Sequence, residues 1–185
     1  LKTKTDGEFQ RREIGDMNET PQQYSQRILG HIDGKDPLKS QAAATKKLER
    51  LVKSAPPSKL RKRPGPDKWS VNEIIAHMAD TEIVIGWRIR SILGAPGTHI
   101  QAYDQNAWAA AGLYAKRDPR KSIEQFRAVR DANIAFYKSL SPEQWKHFGM
   151  HAERGEESLE RIARMIAGHD INHILQIERI LAPKK

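Results

Sequence analysis

His169 and His173 lie four residues apart in the run His169-Asp170-Ile171-Asn172-His173, a spacing suited to chemistry. The surrounding segment, Gly155 to Leu181, has helical periodicity, with Leu159, Ile162, Ile166, His169, His173, Gln176 and Ile180 at steps alternating between three and four. Two imidazoles therefore occupy places where a bundle seam calls for aliphatic side chains. An i,i+4 pair stands on one helix face, so both rings can point at a single ion. The same spacing also describes two core histidines hydrogen-bonded to carbonyls. A third imidazole favours the ion. His77 lies on the edge of a second apolar seam made of Val71, Ile74, Met78, Ile85, Ile89 and Ile92. Three inward histidines from two helices would hold a metal and leave coordination positions open, the arrangement of a catalytic rather than a closed structural centre. Neutral imidazole suits Zn, Ni, Fe or Cu. Asp80, Glu82 and Asp170 are the nearby carboxylates expected to fix the imidazole tautomers.

Other polar residues rank behind these. Arg88 lies two to three turns beyond His77 on the same face, where it would hold an anionic thiol or substrate, or else serve as a surface cation. His151, in the segment entering the last helix, is a candidate for acid–base work. Asp170 makes the run one carbon short of HExxH, which admits a small-molecule metallohydrolase but speaks against a peptidase. His31, His99 and His147 are expected in solvent, while Trp87 and Trp108 are expected to pack.

The elements that must position these residues read as helices. Thr20-Pro21 and Asp36-Pro37 each open one with a capping residue followed by proline. The second should run to about Ser54 with Leu38, Ala42, Thr45, Leu48, Leu51 and Val52 inward. Lys59 to Pro66 reads as a basic, proline-bounded loop. Ser70 with Glu73 forms a capping box and Trp69 with Ile74 a hydrophobic staple, opening a helix that Gly94 and Pro96 end. Gly97 to Arg117 is a long connection, of the kind that carries a short helix or a lid. Asp118-Pro119 opens a helix to about Leu140 with Ile123, Phe126, Val129, Phe136 and Leu140 inward, and Ser141-Pro142 opens a further turn. No segment shows sustained strand alternation. The expected fold is all-α without a sheet: a four-helix bundle with long connections and short extra helices.

The chain has 185 residues, room for one domain with a substantial core; residues 19–182 are assigned to it and 1–18 to an extension. Residues 1–16 are polar and aperiodic, and Met17 is the expected native start. No apolar run approaches spanning length and no signal-like start is seen, so a cytoplasmic location is expected. There is no cysteine, which removes thiolate metal sites and a cysteine nucleophile together. The net charge of +9 admits nucleic-acid binding, yet the basic residues are scattered and lack interleaved aromatics, so specific recognition is not expected.

From about Asp36 to Leu181 the chain resembles the DinB-like (YfiT-like) four-helix bundles. The stretches that carry the resemblance are Lys68-Trp69-Ser70-Val71, Ala76-His77-Met78-Ala79-Asp80-Thr81-Glu82, Tyr103-Asp104-Gln105, Leu140-Ser141-Pro142-Glu143-Gln144-Trp145 and Ala167-Gly168-His169-Asp170-Ile171-Asn172-His173. The resemblance implies a divalent metal, Zn or Ni first, on His77, His169 and His173. It also implies a metal-dependent S-transferase that joins a low-molecular-weight thiol, such as bacillithiol or mycothiol, to a small electrophile. Other members are described as hydrolases, so hydrolysis of a small molecule is the alternative, and a non-enzymatic metal- or nucleic-acid-binding bundle is the third. A homodimer acting on a small-molecule substrate completes the expectation. The thiol has a physical rationale, because a metal with open positions lowers a bound thiol's pKa.

Overall fold

A computed structural model describes residues 19–183. The assignments made for residues 1–18 lie outside the described residues. Four long helices form the bundle: α2 (Pro37–Ser54), α4 (Val71–Gly94), α6 (Pro119–Lys138) and α8 (Leu159–Leu181). Shorter helices α1 (Pro21–Gly30), α3 (Pro57–Arg61), α5 (Gln105–Ala111) and α7 (Pro142–Lys146) lie between or before them. Among the described residues no helix is long and apolar enough to cross a membrane.

The helix starts are those that local chemistry dictates. Thr20, Ser70 and Ser141 each accept from the backbone N–H three residues on, and the Gln or Glu at that position bonds back, closing three capping boxes. Asp36 and Asp118 cap α2 and α6 ahead of a proline at the first helical position. α2 packs against α6 and α8, and α4 packs against the same two helices, so α2 and α4 occupy opposite corners. One apolar cluster joins Leu48, Trp69, Ile74, Met78, Phe126 and Ile177. A second, towards the other end, joins Ile85, Ile89, Ile92, Tyr137, Leu159 and Ile162.

The expectation of a fold without a sheet is corrected here. Strands β1 (His99–Ile100), β2 (Phe148–His151) and β3 (Gly155–Ser158) form a small sheet in that order, β1 parallel to β2 and β2 antiparallel to β3. The last helix accordingly starts at Leu159, capped by Ser158, and not at Gly155. Strands of two to four residues are too short to show an alternating pattern. Gly149 explains how the sheet lies so close to the bundle: a Cβ there would fall 2.6 Å from Ile100 Cδ1 and 3.1 Å from Ile92 Cγ1.

Several side chains also depart from expectation. Residues 57–61 form a helix that buries Leu60, because an apolar residue flanked by basic ones can still reach the core from a single turn. On α2 Gln41 faces inward and Ala42 is exposed. On α6 the inward stripe runs Ile123, Phe126, Arg130, Asn133 and Tyr137, while Val129, Phe136 and Leu140 are half-buried. Trp87 does not pack: it is 73% exposed, two positions and about 200° round the axis from buried Ile85.

Candidate metal centre

His77 enters the bundle from the second turn of α4, a helix buried on nearly every face over its first half. Trp69, just before the Ser70 cap, lies with its ring centroid 5.1 Å from that of His77. The staple that starts the helix therefore also packs the imidazole. His169 and His173 come from the middle of α8, where Gly168 brings α1 close. A Cβ at Gly168 would stand 2.1 Å from the Ile28 carbonyl oxygen, so only glycine allows α1 and α8 to approach at this level.

The three rings converge. His169 Nε2 lies 3.1 Å from His77 Nε2 and 3.1 Å from His173 Nε2, and all three residues are buried. A neutral imidazole nitrogen carries either one proton or one lone pair. With one proton or one lone pair, His169 Nε2 can make a full hydrogen bond with only one neighbour, which leaves the other contact without one. Protonation is no remedy, because burial and neighbouring charge push His77 and His169 well below the ordinary histidine range. Burial likewise lowers His173 to about 4, against the opposing bond from Gln176. A cation would give every lone pair a partner. Ligand bonds of about 2.0–2.1 Å in a tetrahedral shell place donor atoms roughly 3.3 Å apart, close to the separation seen, so the donor set fits a divalent ion.

His173 Nδ1 donates to Gln176 Oε1 at 2.9 Å, which fixes the tautomer with the Nε2 lone pair facing the other rings. Gln176 takes the place expected for a carboxylate. The carboxylates themselves are occupied elsewhere, which corrects the tautomer-fixing role expected of them. Asp80 accepts from Tyr114 Oη (2.8 Å), both Arg117 Nη atoms (2.8 and 3.0 Å) and Gln125 Nε2, tying down the 97–117 connection. Asp170 and Glu82 clamp Arg130, with contacts of 2.5, 3.1 and 2.7 Å, and Asn133 donates to Glu82. A guanidinium outcompetes a neutral imidazole N–H for a carboxylate, because the bond is charge-assisted. Arg130 was not singled out in the sequence. Its position four residues after Phe126 and seven after Ile123 is the signal that marks it as inward.

The centre opens on a cavity of about 100 Å³ lined by His77, His169, Thr81, Tyr103, Arg88 and His151, among others. Arg88 is 7% exposed and reaches the cavity wall from within, against the reading of it as a surface cation. His151 ends β2 and is buried beside it. Asp170 is buried behind the histidines and is absent from the cavity lining. His99 is exposed as expected, but His31 and His147 are half-buried rather than solvated, and His147 Nδ1 is shielded without a partner among the described residues. Trp108 is 41% exposed with its ring against Tyr103 over the 97–117 connection.

Residues 42–177, more than half of the chain, match the DinB superfamily. The chain belongs to the DinB superfamily. OB0413 of Oceanobacillus iheyensis, named a "putative metal-dependent hydrolase", is 23% identical over 145 residues, 78% of this chain and 83% of its own length. YfiT of Bacillus subtilis carries the same description and is 24% identical over 113 residues, 60% of this chain and 64% of its own. The solved structure of YfiT, described as having an unusual four-helix bundle topology, superposes with a TM-score of 0.73 at 19% identity over 91% of each chain. At that identity the likeness is one of fold. This DinB-family chain thus pairs the family's bundle with three buried histidines able to hold a metal ion.

Proposed function

We propose that the protein is a divalent-metal-dependent hydrolase of a small molecule, with Zn or Ni on His77, His169 and His173. The convergence of three Nε2 atoms, with His77 and His169 lining a cavity, carries the reading, and the description given to the curated relatives supports it. A divalent ion with open positions supplies a Lewis acid and lowers the pKa of a water, giving a nucleophile near neutral pH.

The chain's own residues do the rest. His77, His169 and His173 stay neutral and present lone pairs, as ligands must. Gln176 keeps the His173 ring turned the right way. Thr81 Oγ1 and Tyr103 Oη, 3.2 Å apart, place hydroxyls on the cavity wall within reach of a bound substrate. Asp80, through Tyr114 and Arg117, holds the 97–117 connection against α4 and so shapes that wall.

A thiol is the other nucleophile to weigh, because a chain without cysteine would need a low-molecular-weight thiol for S-transfer. The test sets metal-loaded protein against activated esters and amides in water, and against model electrophiles with a thiol. Hydrolysis that stops on chelation and in His173→Gln is the expected result. Conjugation without hydrolysis would replace the hydrolase reading with the transferase one. Turnover unchanged under chelation would remove both.

A further inference from the structure

His151 and Arg88 meet in an arrangement that the three-histidine centre does not account for. His151 Nδ1 accepts from the Glu153 backbone N–H at 3.2 Å, so in the neutral ring the proton resides on Nε2. Burial keeps the ring neutral, lowering His151 to about 4. Its Nε2 stands 3.4 Å from Arg88 Nη2, and a guanidinium nitrogen can only donate. Two N–H donors therefore face one space, with no acceptor placed between them among the described residues. Arg88 Nη2 also donates to the Gln101 carbonyl oxygen at 2.9 Å, which locks the side chain in place.

The guanidinium also lacks an ion pair at contact distance. Arg88 is buried, yet among the described residues no carboxylate pairs with its guanidinium. Arg154, its cationic neighbour, is closed off by Glu157 through two bonds of 2.8 and 2.9 Å. The cavity is lined by Glu153 and Glu157 as well as by Arg88 and Arg154, so what Arg88 lacks is a direct carboxylate partner at its guanidinium rather than charge balance over the wall. Glu153 and Glu157 act on it only from beyond contact, and a buried guanidinium gains from an acceptor placed directly against it.

We propose that Arg88 and His151 form an oxyanion subsite that binds the carboxylate of a monoanionic substrate. With two carboxylates already on the wall, a monoanion is accommodated more readily than a phosphate dianion, and an oxygen between the two donors satisfies both. The subsite lines the same cavity as His77 and His169, so it rests on the hydrolase reading for what happens at the substrate's other end. Arg88 follows His77 by eleven residues, about three turns and roughly 16 Å of rise along α4. Helical side chains lean towards the N-terminus, which brings the guanidinium back by several ångströms. The substrate then carries its reacting group on the order of 10 Å from its carboxylate. His151 acts here as a fixed donor rather than as an acid or base.

The test uses the full chain, metal-free and zinc-loaded, with nitrogen-15-labelled histidine. Monomethyl suberate, a monoanion of suitable length, is titrated against dimethyl suberate, its neutral counterpart. The expected result is a saturable shift of the His151 ring signals with the monoanion alone, in both samples. Arg88→Gln should weaken that binding at least about tenfold, as loss of a charge-assisted pair implies. Arg88→Lys keeps the charge but not the two-pronged edge, and should weaken it a few-fold; it stands in if the Gln variant does not fold. No shift, an equal shift with the diester, or unchanged affinity in whichever variant folds would overturn the subsite. Ester cleavage in the zinc-loaded sample is read separately and bears on the hydrolase reading alone.

Discussion

Two buried residue clusters share the middle of the bundle, and they solve opposite problems. The histidines gather lone pairs suited to a cation, whereas Arg130 is a cation between two carboxylates. Arg130 projects from α6, pairs with Glu82 of α4 and Asp170 of α8, and donates to the Gln41 carbonyl of α2, so it joins all four long helices. Desolvation pushes Asp170 up to about 6 despite its pairing with Arg130. Arg130→Met removes the cation and leaves both carboxylates buried, which should destabilise the protein by about 3–5 kcal/mol. Urea unfolding measures this. A loss below about 1 kcal/mol, the scale of a surface pair, would show that the network contributes little.

At the scale of elements, the contact of α1 with α8 sets where His169 sits. Gly168→Ala would drive a methyl into the Ile28 carbonyl, so the helices must separate. We expect a stability loss of about 1–3 kcal/mol together with weaker metal binding, read by denaturation and by metal titration of the same variant. An alanine variant of unchanged stability and affinity would mean that α1 is not held at this point. Glycine before a histidine was visible in the sequence, but the partner of that glycine was not, since Ile28 lies 140 residues away. What was legible was local: caps at Thr20, Asp36, Ser70 and Asp118, the staple of Trp69 with Ile74, and the seam that put His77, His169 and His173 inward. What was not legible depended on tertiary contact. The β2–β3 hairpin is too short for periodicity, and its Glu157 is buried only because Arg154 folds back on it. Arg88 could be read either as an anion holder or as a surface cation until the cavity placed it, and Arg130, inward by its spacing, was not read until two carboxylates came to face it.

For the molecule as a whole, four buried histidines make metal-free stability depend on pH. His77 and His169 lie well below their ordinary value, and His151 and His173 at about 4. In the unfolded chain all four titrate near 6.5. Below that pH the unfolded state takes up protons the native state refuses, so stability is lost as pH falls from about 6.5 towards 4. Asp170 works in the other direction: its raised pKa contributes stability below 3.8 that is lost as pH rises through about 6. Four groups outweigh one. The urea midpoint of metal-free protein should therefore fall steadily between pH 7 and pH 4.5, and a flat or rising midpoint would mean the rings are not buried and neutral. A bound ion adds to native stability by mass action and raises the midpoint at neutral pH.

The central claim is that three buried imidazoles hold one divalent ion, and metal stoichiometry tests it most directly. The full chain, purified without a histidine tag, is stripped with chelator, reloaded with Zn or Ni near neutral pH, and assayed by elemental analysis. About one equivalent per chain is expected, released again by chelator and absent in His173→Gln, which keeps bulk and polarity but ligates poorly. Less than about a tenth of an equivalent in the reloaded wild type, or equal loading of the His173→Gln variant, would contradict the account.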